Sequence, residues 1–173
     1  MTTETWAIDA SHSGIHFSVR HLVIAKVRGQ FSRWSGTVNV PGGDFAKASV
    51  AVTIDASSIE TGVADRDGHL KSTDFFKDSN SKMVGTVSKV EKAGSDYKVT
   101  VDLAFNGATH PVVFDAEFLG IVPGMNGRHF GATLRGTLDR TQWGVNWNMP
   151  AGEGLLVSNE IKLELEIAAD EGK

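Results

Sequence analysis

The stretch Ile161-Lys162-Leu163-Glu164-Leu165-Glu166-Ile167 alternates an aliphatic residue with a charged one throughout. A side-chain period of two puts Ile161, Leu163, Leu165 and Ile167 on one face and Lys162, Glu164 and Glu166 on the other, the mark of a half-buried strand. The same pattern recurs toward the start of the chain. In 14–20, Ile15, Phe17 and Val19 oppose His16, Ser18 and Arg20; in 49–54, Val50, Val52 and Ile54 oppose Ala51 and Thr53. It returns in 98–105 (Val99, Val101, Leu103, Phe105), in 112–118 (Val112, Phe114, Ala116, Phe118) and in 130–138 (Phe130, Ala132, Leu134, Leu138). Two further strands are expected over 82–90 and over 28–40, the latter long enough to need a bulge near Arg33 and Trp34.

Turn signals separate these runs: Pro41-Gly42-Gly43-Asp44, Ala93-Gly94-Ser95-Asp96, Asn106-Gly107, Pro123-Gly124-Met125-Asn126-Gly127 and Ala151-Gly152-Glu153-Gly154. Their short spacing implies antiparallel neighbours, since parallel pairs need long crossovers. From 57 to 76 the alternation lapses. There 65–72 reads as a short helix with Leu70 reaching the interior, and Phe75 and Phe76 follow as anchors. The segment 3–8 is short, and 21–27 reads equally as a turn or a helical bend. About eight one-sided strands make an all-β domain, either a two-sheet sandwich or a closed barrel, and closure would remove the exposed edges of a long meander.

Composition bounds the chemistry. The chain has 173 residues, 40% hydrophobic and 22% charged, which suits one globular domain over 1–173 with a core of its own. It has no Cys, which excludes disulfides, thiolate zinc sites and thiol nucleophiles. The net charge is −4 with scattered Lys and Arg, so no nucleic-acid partner is expected. No apolar run approaches the ~18 residues of a membrane span, so the chain is not expected to be an integral membrane protein. The start from Met1 to Trp6 has no basic segment followed by an apolar one, so a cytoplasmic location is expected, or a periplasmic one had a leader been removed. The 19 glycines exceed the ~7% average and favour turns.

Specific motifs are few. His12 and His16 share a strand face while His21 has opposite parity, and no third tetrahedral ligand accompanies them, so no metal is expected. Asp65, Asp67 and His69 sit at alternate positions like the start of a calcium loop, but the Gly and Glu that such a loop requires are replaced by Leu70 and Phe76. Gly-x-Ser-x-Gly, Ser-x-x-Lys, His-Glu-x-x-His, Gly-x-Gly-x-x-Gly and phosphate-loop motifs are all missing, which disfavours an enzyme and a nucleotide cofactor. No catalytic residue is assigned. Trp143, Val145 and Trp147 fall on one face by alternation, as core or as part of a ligand box. Arg20, His21, Lys26 and Arg28 cluster where a barrel rim would lie, as a solvated edge or a head-group contact.

Several blocks then line up with one family. The segment from Asp9 to Leu22 (Asp9-Ala10-Ser11-His12-Ser13-Gly14-Ile15-His16-Phe17-Ser18-Val19-Arg20-His21-Leu22) with Val27-Arg28-Gly29-Gln30-Phe31 resembles the opening signature of the YceI family. The resemblance continues through Ser58-Ile59-Glu60-Thr61-Gly62, Arg66-Asp67-Gly68-His69-Leu70-Lys71-Ser72, Asp74-Phe75-Phe76, Asn106-Gly107-Ala108-Thr109-His110-Pro111-Val112 and Asp139-Arg140-Thr141-Gln142-Trp143-Gly144-Val145. It implies a lipocalin-like, extended eight-stranded antiparallel β-barrel with a short helix between strands. It also implies that the barrel holds a polyisoprenoid or a similar long amphipathic lipid, such as a quinone tail or fatty-acid derivative, without catalysis or cofactor. Homodimers and a role in stress response belong to the same expectation. The Gly-x-Trp of true lipocalins is missing, so that likeness is architectural. One departure lies at 77–86, where family members carry Tyr-Pro before a Phe-containing strand and this chain has small and flexible residues, which would widen the cavity or open a portal.

On this reading the cavity lining comprises Ile15, Phe17, Val19, Phe31, Val50, Val52, Leu70, Phe75, Phe76, Val99, Val101, Phe105 and Phe114, joined by Trp143, Val145 and Trp147. Such a lining carries no charge, and a polar head would sit at the rim near Arg20, His21 or Arg28. Two rival readings remain open: an enzyme acting on a hydrophobic substrate inside the barrel, and an interaction protein whose barrel is packed solid.

Overall fold

The computed structural model describes residues 2–78 and 81–172. Ser79 and Asn80, inside the 77–86 departure, lie outside the described residues. In chain order the elements are β1 (Thr3–Ile8), β2 (Gly14–His21), β3 (Ala25–Phe31), β4 (Trp34–Pro41), β5 (Ser49–Asp55), β6 (Ile59–Glu60) and helix α1 (Ala64–Leu70). They continue with β7 (Lys82–Ala93), β8 (Asp96–Phe105), β9 (Ala108–Gly124), β10 (Gly127–Asp139), the two-residue strands β11 (Pro150–Ala151) and β12 (Gly154–Leu155), and β13 (Val157–Glu171).

These strands form an all-β, closed, eight-stranded antiparallel barrel with one short helix between strands. Closure comes from β13. One of its edges pairs with β10 along nearly its whole length, from Glu160 to Asp170. The other edge pairs with β2 at its start and with β1 at its end, where Trp6 meets Glu171. β1 and β2 are thus two halves of one broken stave. β4 and β3 make the second stave, since β4 pairs with β1 and β3 with β2; β5 and β6 make the third, pairing with β4 and β3.

The continuous strand expected over 28–40 is therefore two strands. Its interruption is larger than a bulge because the backbone of Ser32 and Arg33 bonds to a 3-10 turn (Ala56–Ser58) in the neighbouring stave: Ser32 N donates to Ser58 O at 3.2 Å, and Asp55 N donates to Arg33 O at 2.9 Å. A matching 3-10 turn (Ala10–His12) breaks the first stave, where Asp9 N donates to Ala168 O at 2.8 Å. Both turns open with Asp-x-Ser. The Asp9 carboxylate accepts from Ser11 N, and that of Asp55 from Ser57 N, holding the first free amide of each turn. Asp139-x-Thr141 repeats the device at the end of β10. The 21–27 segment resolves as a turn at 22–24 between the end of β2 and the start of β3, with Leu22 and Val23 both at positive φ and Val23 and Ile24 exposed.

Where two large rings would otherwise collide with a neighbouring strand, glycine makes the room. Phe17 lies opposite Gly29 in the β2–β3 register, and a Cβ at Gly29 would run into the Phe17 ring. Phe114 lies opposite Gly136, where an added Cβ would meet its ring at 2.9 Å. Both rings turn inward.

Candidate functional site

The barrel is not packed solid. One continuous cavity of about 350 Å³ runs along its interior, within the ~300–1,000 Å³ usual for small-molecule sites. Its wall follows from strand alternation. Ile15, Phe17 and Val19 enter from β2, Phe31 from β3, Val50 and Val52 from β5, Val99, Val101 and Phe105 from β8, and Phe114 from β9. Leu70, the last residue of α1, reaches in with Phe75 and Phe76, and Val145 joins them.

Trp143 and Trp147 lie outside the wall. The alternation that grouped them with Val145 does not operate there, because Trp143 ends a 3-10 turn (Arg140–Trp143) capped by Gly144 at φ 73, and 145–149 are not strand. Trp143 is buried behind the wall, stacked on Phe105 at 5.3 Å and donating its Nε1 to Leu103 O at 2.9 Å. Trp147 packs edge-on against His69 at 4.5 Å and beside Phe75 at 5.8 Å. It backs the cover at the α1 end.

Arg20, His21 and Arg28 do not border the cavity either. Arg20 and Arg28 are exposed, and Arg28 belongs to a polar groove on the outer surface with His16, Gln30, Glu60, Thr61 and Asp67. The expected charge-free wall is corrected by Arg140, which borders the cavity and is only 4% exposed. Alternation along β10 gives no sign of it, because the Asp139-x-Thr141 cap bends the chain at the strand end and turns the following residue inward. Burial pushes the Arg140 guanidinium down from its ordinary value, partly offset by the nearby Asp139 charge.

Phe45 is a second residue that alternation does not reveal. It sits in a 3-10 turn (Phe45–Lys47) yet enters the wall between Phe118 and Phe130, with ring centroids at 5.1 and 5.2 Å. In the 77–86 departure, Met83 and Gly85 on β7 both border the cavity.

Among the described residues no group of three or more His, Asp or Glu side chains is placed to hold a metal ion. His12 is held by Asp9 at 2.6 Å, which raises its pKa, while hydrogen bonds from Ser11 and His12 pull the Asp9 carboxyl down to about 2. Asp67 accepts from Thr61 N at 2.8 Å and ties α1 to the chain before it. The polar clusters are thus hydrogen-bonded corners of the fold. No described helix is long and apolar enough to cross a membrane.

Residues 6–169 match the model of the YceI-like domain family. A UPF0312 protein of Staphylococcus aureus is 33% identical over 162 residues, covering 92% of this chain and 93% of its own. Among solved structures, a Campylobacter jejuni YCEI protein superimposes with a TM-score of 0.73 at 30% identity, covering 89% of this chain and 90% of that one. A polyisoprenoid binding domain from Saccharophagus degradans, implicated in plant cell wall breakdown, shares the fold with a TM-score of 0.66 at 15% identity, over 96% of this chain and 98% of that one.

Proposed function

Because this chain belongs to the YceI-like domain family, we propose that its barrel binds a polyisoprenoid or a similar long-chain amphipathic lipid and stores or carries it without chemical conversion. The observation that carries this reading is the continuous apolar cavity, lined from Phe130 near one end to Leu70 and Val145 near the other. Phe130, Ala132, Leu134 and Leu138 of β10 all border the cavity, so it follows that strand for most of its length. An elongated apolar slot suits a chain better than a compact ring system. Retention would rest on burial: ten methylenes at ~0.8 kcal/mol each offer ~8 kcal/mol before ordering costs, near a micromolar Kd. The S. degradans domain, whose name states polyisoprenoid binding, has the same fold and supports the ligand class.

Solvent extraction of freshly purified protein, followed by mass spectrometry, tests the reading. The expected result is a long-chain lipid at about one per chain, or uptake to that ratio when polyprenols or isoprenoid quinones are added. Protein that emerges empty and takes up none of them contradicts it.

A further inference from the structure

Of the described side chains bordering the cavity, Arg140 alone is charged. Its Nε donates to Ser158 O at 3.0 Å and its Nη1 to Val145 O at 2.7 Å. Nη2 is buried and has no hydrogen-bond partner among the described residues. Both acceptors in use are neutral carbonyls. The adjacent carboxylate, Asp139, accepts instead from the backbone N and the hydroxyl of Thr141, at 2.9 and 2.6 Å. A guanidinium has five N–H donors and stays protonated, so this one brings unspent donors and an unpaired positive charge to the edge of an otherwise apolar chamber. A polar atom orphaned in this way calls for a partner, and the cavity is where one could enter.

We propose that Arg140 is the polar anchor of the cavity, its Nη2 donating to a single carboxylate or carbonyl oxygen at the terminus of a long-chain ligand, whose tail then runs toward Phe45, Phe118 and Phe130. The proposal rests on the lipid-binding reading and narrows it. One free guanidinium nitrogen, with no second cation among the described residues of the wall, suits a monoanion or a neutral carbonyl, as in a fatty acid, a fatty amide or a quinone. It does not suit a diphosphate, whose several charges would need several cations. The two bonds to Ser158 O and Val145 O fix the guanidinium plane, so Nη2 is held in place before the ligand arrives.

The test uses displacement of an apolar fluorophore from the full-length protein by hexadecanoate, hexadecanamide, hexadecyl diphosphate and hexadecane. The acid and the amide should outbind hexadecane about ten- to a hundredfold, the ratio that a hydrogen bond to a charged group supplies, and should outbind the diphosphate as well. Arg140→Met should bring acid and amide down to the hexadecane level while leaving hexadecane binding in place. If the wild type holds hexadecane or the diphosphate as tightly as the acid, the anchor is refuted while the lipid reading stands. If no chain displaces the fluorophore the anchor is refuted, and if polyprenols and isoprenoid quinones are not taken up either, the lipid reading fails with it. Should Arg140→Met not fold, hexadecanoate carrying a carboxyl ¹³C label decides the matter on the wild type. Its resonance should stay that of the ionised form as the pH falls through about 4.5, near the ordinary carboxyl range. Titration as in water refutes the contact.

Discussion

Where β1, β4, β10 and β13 meet, the cavity stops against interlocked rings. Trp6, Phe45, Phe118 and Phe130 pack with centroids 5.1 to 6.1 Å apart, and Trp6 is fully buried. Arg128 lies over the Trp6 ring at 5.4 Å and is bound by Glu171 and Glu4, so even the outer face of this end is tied down. The α1 end has rings as well, Phe76 against Phe105 at 6.1 Å and Phe75 beside Trp147 at 5.8 Å, but Phe75, Phe76 and Trp147 are carried by irregular chain and not by strands. Its cover is a one- to two-turn helix and an irregular segment held largely by side-chain hydrogen bonds: Asn106 Nδ2 donates to Phe75 O at 2.8 Å and to Trp143 O at 3.2 Å, and Lys77 N donates to Asn106 Oδ1 at 3.0 Å. Rings and apolar burial are present at both ends, but at one they are carried largely by strands, while the cover at the other hangs on irregular chain tied by a handful of polar stitches. Stability is expected to follow the first and ligand retention the second.

Variants at the two ends should separate these properties. Trp6→Ala removes a fully buried indole and should cost about 3–5 kcal/mol, read as a shift of the urea midpoint. An equal loss from a change at the α1 end would dissolve the contrast. Asn106→Ala unties three segments at the α1 end and should cost about 2 kcal/mol. Its distinguishing effect is kinetic: bound fluorophore should leave faster than from wild type, whereas slower or unchanged release would show that the cover does not control exit.

Smaller still is the pH response of the corner at Asp55. The Ser57 hydroxyl bonded to it, helped by Arg33, holds its carboxyl at about 2. The folded group is the stronger acid, so its stabilising contribution is complete above the unfolded value near ~3.9 and fades as the pH falls toward about 2. Denaturation midpoints between about pH 4 and 2 should fall more steeply in wild type than in Asp55→Asn. Parallel slopes would mean that the corner contributes nothing.

The strands were readable because their chemistry is repetitive. The Lys162, Glu164, Glu166 face and the Ile161, Leu163, Leu165 face of β13 leave little freedom, and the wall residues Val99, Val101 and Phe105 follow from the same period. What escaped that reading lies at the corners. In 28–40 the apolar positions change parity across Ser32 and Arg33, from Phe31 to Trp34, Val38 and Val40, as a bulge would allow, but the pattern does not show that the backbone there is engaged by a neighbouring 3-10 turn. Trp143 and Trp147 kept a strand-like spacing in a segment that is not a strand. Arg140 and Phe45 enter the cavity from 3-10 turns, each one residue after a capping Asp. For Arg140 the Asp-x-Ser/Thr spacing at 9, 55 and 139 was the available signal, since it marks where a strand ends and the parity of facing restarts, whereas Asp44-Phe45-Ala46 lacks it.

The position of a bound chain can be seen by crystallography of the protein loaded with 16-bromohexadecanoic acid, using anomalous scattering from the bromine. The expected result is a carboxylate at Arg140 and a bromine inside the barrel, displaced from Arg140 toward Phe45, Phe118 and Phe130. A bromine found only on the outer surface, with the interior unchanged, would contradict the claim that this barrel is a container for lipid.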